Sequence, residues 1–419
     1  MMNVILSRDN LAEALKRVES NKGSAGVDGM STKSLRPYLH EHWASLREEL
    51  IQGTYEPEPV RRVEIPKPNG GKRSLGIPTV KDRLIQQAIA QVLSRQVDPH
   101  FSDMSYGFRP RKRGHDAVRK AKTYIQEGYT WVVDLDLSKF FDRVHHDRLM
   151  RKLSLIIQDA HVLRLIRRYL QAGVLEQGLV HPSTEGTPQG GPLSPLLSNI
   201  VLDEWDQELE KRGYRFVRYA DDCQIYVRSR RAATQTMEKM TWYLEEKMRL
   251  VVNRDKSAVD RPWNRTFLGF TFLKNRKAPK IRVSATSIKR CKDRIRELTQ
   301  RSHSINMEER LKRLNRFLVG WMGYYQLAET PSVFKELDKW IRRRLRMIRW
   351  KEWKKIGTKH RNLVSLGVPI DKAWEWVNTR KGYWRFASSP PLHQTLNIKY
   401  WKQLGLKSLD ERYHFLCST

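Results

Sequence analysis

Two apolar segments of this chain each end in aspartate, and few arrangements of a folded chain tolerate that. In TWVVDLDLSKFFD (130–142), Val132, Val133, Leu135 and Leu137 read as a buried strand, with Asp134 and Asp136 emerging near its end. In RFVRYADDCQIYV (215–227), β-branched and aromatic residues flank Asp221 and Asp222, which favour a turn between two strands. Asp136 and Asp221 are 85 residues apart, on segments suited to be neighbouring strands of one sheet. Each feature alone has an ordinary reading, a strand ending in a polar turn and a solvated hairpin tip. Brought together, three carboxylates cannot all stay ionised without cations. Hard oxygen ligands suit Mg²⁺, which keeps waters and takes the rest of its shell from substrate phosphates. Two such ions would serve an in-line phosphoryl displacement.

The rest of the chain points to a polyanionic partner. Its 419 residues carry 79 Lys and Arg against 46 Asp and Glu, a formal net charge of +33. That excess is costly self-repulsion unless nucleic acid, or less favourably an anionic membrane surface, is the usual neighbour. Hydrophobic residues make up 39%, so the chain is expected to fold, into two or three domains. Cys223, Cys291 and Cys417 are far apart and odd in number, giving no disulfide framework or Cys-pair zinc site and favouring a reducing interior. The N-terminus does not read as a signal peptide, and no stretch approaches the roughly 18 apolar residues of a membrane span.

Helices are expected at 9–19, 40–52, 81–97, 161–173, 195–213 and 232–250, a glycine-tipped hairpin at 60–79, and a short strand at 266–274. Lys67, Lys72 and Arg73 bracket the NGG tip of that hairpin, where mobile cations could close over a triphosphate or remain a solvated basic face. EGTPQGGPLSPLLSNI (185–200) is a Gly/Pro-rich loop feeding a helix, suited to close approach by a nucleotide or simply to a turn. From about 285 the chain becomes helical and strongly basic. Residues 341–361 hold ten Lys and Arg and one acid, which suggests a phosphate track, with Trp350 and Trp353 expected mainly to pack. There is no HExxH and no P-loop.

Taken together, these residues resemble a reverse transcriptase. YADD (219–222) resembles the YxDD box of that superfamily, and DLSKFFD (136–142) the strand bearing its other aspartate. NKGSAGVDG, RSLGIPTVKDRLIQQAI, SYGFRPRKRGHDAV, DLSKFFDRVHHD, GTPQGGPLSPLLSNI, YADD, NRDKS and FLGFTF follow the order seen in bacterial group II intron-encoded proteins, and LNRFLVGWMGYY (314–325) resembles their maturase segment. The short length, without a Cys-pair/His nuclease segment, resembles the group IIC subclass.

The resemblance implies an α+β, right-hand polymerase: fingers, a palm with an antiparallel sheet and a helical thumb, with an N-terminal extension and a basic helical C-terminal region. It implies an N-terminal extension, fingers and palm over 1–285, a thumb or maturase domain over 286–360, and a DNA-binding region over 361–419, although no sharp motif marks the last. Asp136, Asp221 and Asp222 become the catalytic metal carboxylates, with the Leu137 carbonyl as a further ligand. Two Mg²⁺ per site are implied, with Mn²⁺ able to substitute. Lys67, Arg73, Phe141 and Gln189 become dNTP contacts, Phe141 as an aromatic gate against a 2′-hydroxyl. Phe267, Leu268, Gly269 and Phe270 become the primer grip. Arg61, Arg109, Arg342, Arg343, Arg344 and Lys351 are the expected template or RNA contacts. The implied partners are intron RNA, an RNA template–DNA primer duplex, target DNA and dNTPs, with no membrane, in a cytoplasmic, nucleoid- or ribonucleoprotein-associated monomer or dimer. Two alternatives remain beside it: a non-catalytic maturase acting as a splicing chaperone, and a retron-type reverse transcriptase, against which LNRFLVGWMGYY and the long N-terminal segment speak.

Overall fold

A computed structural model describes residues 1–66, 70–176, 179–181, 185–187, 190–274 and 278–418. The chain divides into two compact units, Met1–Arg261 and Pro262–Thr419.

The first unit holds two sheets. Strands β1 (Val60–Pro66) and β2 (Lys72–Ile77) form the glycine-tipped hairpin. Gly70 and Gly71 have φ of +88° and +77°, backbone that only glycine adopts without strain. β3 is Trp131–Leu135, and β4 (Val174–Glu176) and β5 (Leu179–His181) are short strands missed by the sequence reading. β4 lies parallel to β1, so the first sheet runs β2-β1-β4-β5. Three residues each is too short for alternation to stand out, and the pairing of β4 with β1 and of β5 with β4 is set by tertiary contact.

The second sheet carries the acidic segments. β6 is Arg215–Tyr219, β7 is Asp222–Val227 and β8 is Ala258–Asp260. The order is β6-β7-β3-β8, antiparallel throughout, as the palm expectation required. Val133, Leu135, Phe216, Cys223 and Ile225 are buried in a core that also takes Ile85, Ile89 and Leu93 of helix Val80–Val97 and Leu197 and Trp205 of helix Ser194–Lys211. Thr79 caps the first of these helices, its hydroxyl accepting from the Asp82 N–H at 3.1 Å. The other expected helices also form, at Arg8–Asn21, Leu35–Gln52, Ala160–Gln171 and Arg230–Trp242.

The second unit has its own core. It begins with the antiparallel pair β9 (Phe270–Phe272) and β10 (Ile281–Val283) and continues through helices Ala285–Leu298, Met307–Tyr325 and Ser332–Glu352 to a series of shorter helices. The break in packing comes at 261/262, ahead of the shift to basic helices near 285, because Phe270 of β9 stacks on Tyr324 and Tyr325 and Val283 enters the helical core. Nor, among the described residues, is there a separate core beyond 360. Leu363, Val377 and Trp401 pack into the same cluster as Phe334 and Leu345, and the Asp338 carboxylate accepts from Ser408 Oγ at 2.6 Å. Trp350 and Trp353 are buried, as expected of packing residues.

Candidate active site

The YADD segment is a tight hairpin. Tyr219 pairs with Asp222 across it, leaving Ala220 and Asp221 as its two-residue turn. Ala220 has φ +56°, a conformation that normally calls for glycine. Its surroundings hold it there. Arg218, fully buried, donates through Nε and Nη2 to the Asp206 carboxylate at 2.7 and 2.5 Å, through Nη1 to the Ala220 carbonyl at 2.9 Å and Asn199 Oδ1 at 3.1 Å, and through Nη2 to Ser105 Oγ at 2.8 Å. Asn199 Nδ2 in turn donates to the Gly107 carbonyl at 2.8 Å. Gly107 lies so close beneath the turn that an added Cβ would stand 2.2 Å from the Ala220 nitrogen.

The register of β3 and β7 brings the third aspartate in. Leu135 pairs with Cys223, so Asp136, the next residue, stands level with Asp222. NRDKS (253–257) clamps it. The Asn253 N–H donates to the Asp136 carbonyl at 2.8 Å, the Asp136 N–H donates to Ser257 Oγ at 3.0 Å, and Lys256 Nζ reaches Asp136 Oδ2 at 3.3 Å. Leu137 is buried and bridges to Val252.

The carboxylates act on one another. Asp222 is open to solvent at its surface but densely surrounded by protein. That loss of water, then Asp134, Asp221 and Asp136, pushes it up to about 7, with Lys256 opposing. Burial likewise raises Asp221. Its own backbone N–H opposes that rise and Asp136 adds to it, while Arg73 and Lys256 pull it back. Among the described residues no three His, Cys, Asp or Glu side chains are gathered tightly enough to hold a metal by themselves. The donor set nonetheless suits a hard cation. It is all oxygen, burial and then the neighbouring acids raise Asp221 and Asp222, and an ammonium already sits against Asp136.

The neighbouring segments pack on one another. Phe141 is buried, edge-on to Phe140 at 5.3 Å, and its carbonyl accepts from the Thr187 N–H at 2.6 Å. Thr187 is thus tied to the segment that follows Asp136 in the chain. Gly190 has φ +133°, and a Cβ there would meet the Gly76 carbonyl of β2 at 2.5 Å, so this loop also lies against the basic hairpin. Arg73, on β2, is exposed, and its charge is felt by Asp221. Lys72 is engaged with Glu64 at 2.5 Å. Lys67 and Gln189 lie outside the described residues.

In the second unit, Phe267 and Phe270 are buried and exchange both backbone hydrogen bonds at 2.9 Å. Leu268 and Gly269, at φ +50° and +81°, form the turn between them, and the Leu268 carbonyl accepts from Tyr324 Oη at 2.9 Å. Any contact from FLGF would therefore come from the Leu268–Gly269 turn.

The expected nucleic-acid contacts are corrected in part. Arg109 is buried and donates to the carbonyls of Asp98, Ser102 and Ser105 and to the Asp98 carboxylate, so it is a scaffold residue. Arg344 is bound to Thr299, and Lys351 to the Arg301 carbonyl at 3.1 Å. Arg343 stacks on Trp384, its guanidinium carbon 3.9 Å from the ring centroid. Arg61 and Arg342 are half-buried. A run of cations does not reveal which ones fold inward to satisfy loop carbonyls.

Residues 65–272 match the family described as reverse transcriptase (RNA-dependent DNA polymerase), and residues 288–367 match the group II intron maturase-specific domain. Protein YkfC of Escherichia coli (strain K12) is 35% identical over 316 residues, covering 66% of this chain and 82% of that one. The chain belongs to the family of group II intron-encoded reverse transcriptases. The group II intron-encoded protein LtrA of Lactococcus lactis subsp. cremoris is 39% identical to this reverse transcriptase over 215 residues, 51% of this chain and 36% of LtrA, so the chain spans only about a third of that relative. A solved structure of telomerase from Candida albicans aligns over 82% of this chain and 69% of that one at 13% identity and a TM-score of 0.45, a likeness too loose to weigh in the assignment. By family the reverse transcriptase is an RNA-directed DNA polymerase carrying a maturase domain, and the family generally works with divalent cations. Among the described residues no helix is long and apolar enough to cross a membrane.

Sequence reasoning missed the supports of this reverse transcriptase's turn: Arg218, Asp206, Asn199 and Gly107, together with Lys256. Arg218 and Lys256 stand in segments already singled out, but nothing in a basic chain marks which cation is buried. Removing the guanidinium would strand Asp206 in the core. Arg218→Met is expected to cost ~3–5 kcal/mol in denaturant unfolding, and Asp206→Leu in the same chain should return much of it. A single variant as stable as wild type would contradict the clamp.

Proposed function

We propose that this reverse transcriptase extends a DNA primer on an RNA template, and that it does so as the protein partner of a group II intron of the IIC type. In this reading residues 1–285 supply N-terminal extension, fingers and palm, 286–360 the thumb and maturase surface, and 361–419 a DNA-binding region. It binds its intron RNA, assists splicing and copies that RNA at a DNA target, in the cytoplasm as a nucleoid-associated ribonucleoprotein. The observation that carries the reading is the convergence of Asp136, Asp221 and Asp222 at one end of the antiparallel sheet, within the electrostatic reach of Arg73.

Asp136, Asp221 and Asp222 would hold two Mg²⁺, or Mn²⁺ in their place, with the Leu137 carbonyl as a further ligand. Bound there, the ions would supply charge stabilisation to the attacking and leaving oxygens of phosphoryl transfer. The chain's own residues do the positioning. Asn253 and Ser257 fix the backbone of Asp136, and Arg218 fixes that of the turn, so the carboxylates are presented from rigid strands. Lys256 neutralises part of the acidic cluster until cations arrive. Arg73, with Lys67, holds the triphosphate; Gln189 lines the nascent pair; and the Phe141 ring bars a 2′-hydroxyl. Leu268 and Gly269, between Phe267 and Phe270, grip the primer. Half-buried Arg61 and Arg342, with the outer edge of Arg343, remain as backbone contacts to template or RNA.

Two measurements test the reading. Asp221→Asn is expected to lower primer extension on an RNA template about a thousandfold with RNA binding retained. Absence of extension by the wild type, with tight RNA binding in both proteins, would leave a splicing chaperone instead. The second concerns pH. Burial and the neighbouring acids push Asp222 up to about 7, so below that value a proton would compete for the oxygen a cation needs, and above it the carboxylate would be free to bind. The Mg²⁺ concentration for half-maximal extension should therefore rise severalfold as pH falls from about 8 to about 6. A flat requirement across that range would remove Asp222 from the metal seat.

A further inference from the structure

The loop under the acidic turn is built the wrong way round for a scaffold. In SYGFRPR the charged Arg109 is buried, whereas Phe108 is 50% exposed. Folding alone would favour the reverse. Phe108 also has φ +59°, an uncommon and strained conformation for a bulky side chain. The strain persists because both sides of the residue are fixed. The Tyr106 N–H donates to the Arg218 carbonyl at 2.8 Å, the Gly107 carbonyl accepts from Asn199, and Arg109 is held by the loop carbonyls around it. The ring therefore cannot retreat into the protein. It stands 6.4 Å, centroid to centroid, from Tyr219, which pairs with Asp222, and Gly107 lies so near the turn that a Cβ there would stand 2.2 Å from the Ala220 nitrogen. Arg111 and Arg113, two and four residues on in sequence from Arg109, are exposed.

We propose that Phe108 is a positioning residue for the primer strand, its ring packing against the sugar and base edge of the terminal primer nucleotides beside the acidic turn. The inference rests on the polymerase reading of the same site. A flat apolar surface followed in the chain by exposed cations is the pattern with which proteins hold a nucleic-acid strand without reading its sequence. Here the surface is fixed before the strand arrives, and the backbone strain at Phe108 is borne by the buried bonds of Arg218, Asn199 and Arg109.

The test compares Phe108→Ala, Phe108→Gly and Phe108→Trp with wild type. Binding of a labelled RNA–DNA primer–template duplex is read by fluorescence anisotropy, alongside the KM for dNTP and thermal unfolding. The alanine and glycine variants are expected to weaken primer–template binding about tenfold, with the KM for dNTP unchanged and binding restored by tryptophan. Phe108→Gly should melt at or above the wild-type temperature, because glycine accepts the left-handed backbone. Weaker binding in a protein that is no less stable separates a contact from a structural role. Wild-type affinity in both small variants, or a loss confined to duplexes with a long single-stranded template overhang, would overturn the assignment to the primer. So would a Phe108→Gly protein whose lost binding tracks a lowered melting temperature. Because binding is read without turnover, a wild type that binds but does not extend would count against the polymerase reading separately.

Discussion

The active-site turn depends on a cation that never meets solvent. Arg218 sits in β6 between Asp206, Asn199, Ser105 and the carbonyl of Ala220, joining one helix, one loop and the turn itself. An unpaired guanidinium at that depth would be strongly destabilising. Paired and fully hydrogen-bonded, it fixes a geometry more than it adds stability. That geometry is a left-handed Ala220 and two carboxylates held against their mutual repulsion. The β3 strand meets the same demand from the other side, with Asn253, Lys256 and Ser257 around Asp136. The acids can be crowded because their backbones are not free to move apart.

Crowding acids in a chain of net charge +33 has a functional sense. The positive surface suits the phosphates of nucleic acid, and in the proposed reading the acidic cluster is where small cations would join them. Tuning of the site follows from partial desolvation. Burial, and then Asp134, Asp221 and Asp136, push Asp222 up to about 7, where under the proposed reading a cation would compete with a proton.

Much of this was legible in the sequence because it depends on local pattern. The apolar run of β3 and the YADD hairpin announce an antiparallel sheet with aspartates at one end, and glycines mark the basic hairpin and the PQGG loop. The residues that hold the site were not legible. Arg109 looks like a phosphate contact and is a buried strut, while Arg218 looks like a surface cation and is the clamp. Both roles are set by which loop carbonyls and carboxylates the fold leaves to be satisfied, and no periodicity encodes that. The same holds for Phe108, whose exposure follows from the anchoring of its neighbours, and for β4 and β5, which exist by virtue of pairing β4 with β1 and β5 with β4.

The central claim is that Asp136, Asp221 and Asp222 form one cation seat. Its most direct test is a crystal structure of the protein with an RNA template, a chain-terminated primer, dNTP and Mn²⁺, with the anomalous signal of manganese used to place the ions. The account predicts anomalous peaks within about 2.3 Å of carboxylate oxygens of Asp136, Asp221 and Asp222 and next to the dNTP phosphates. Density for dNTP without manganese at those carboxylates, or manganese bound elsewhere on the chain, would contradict it.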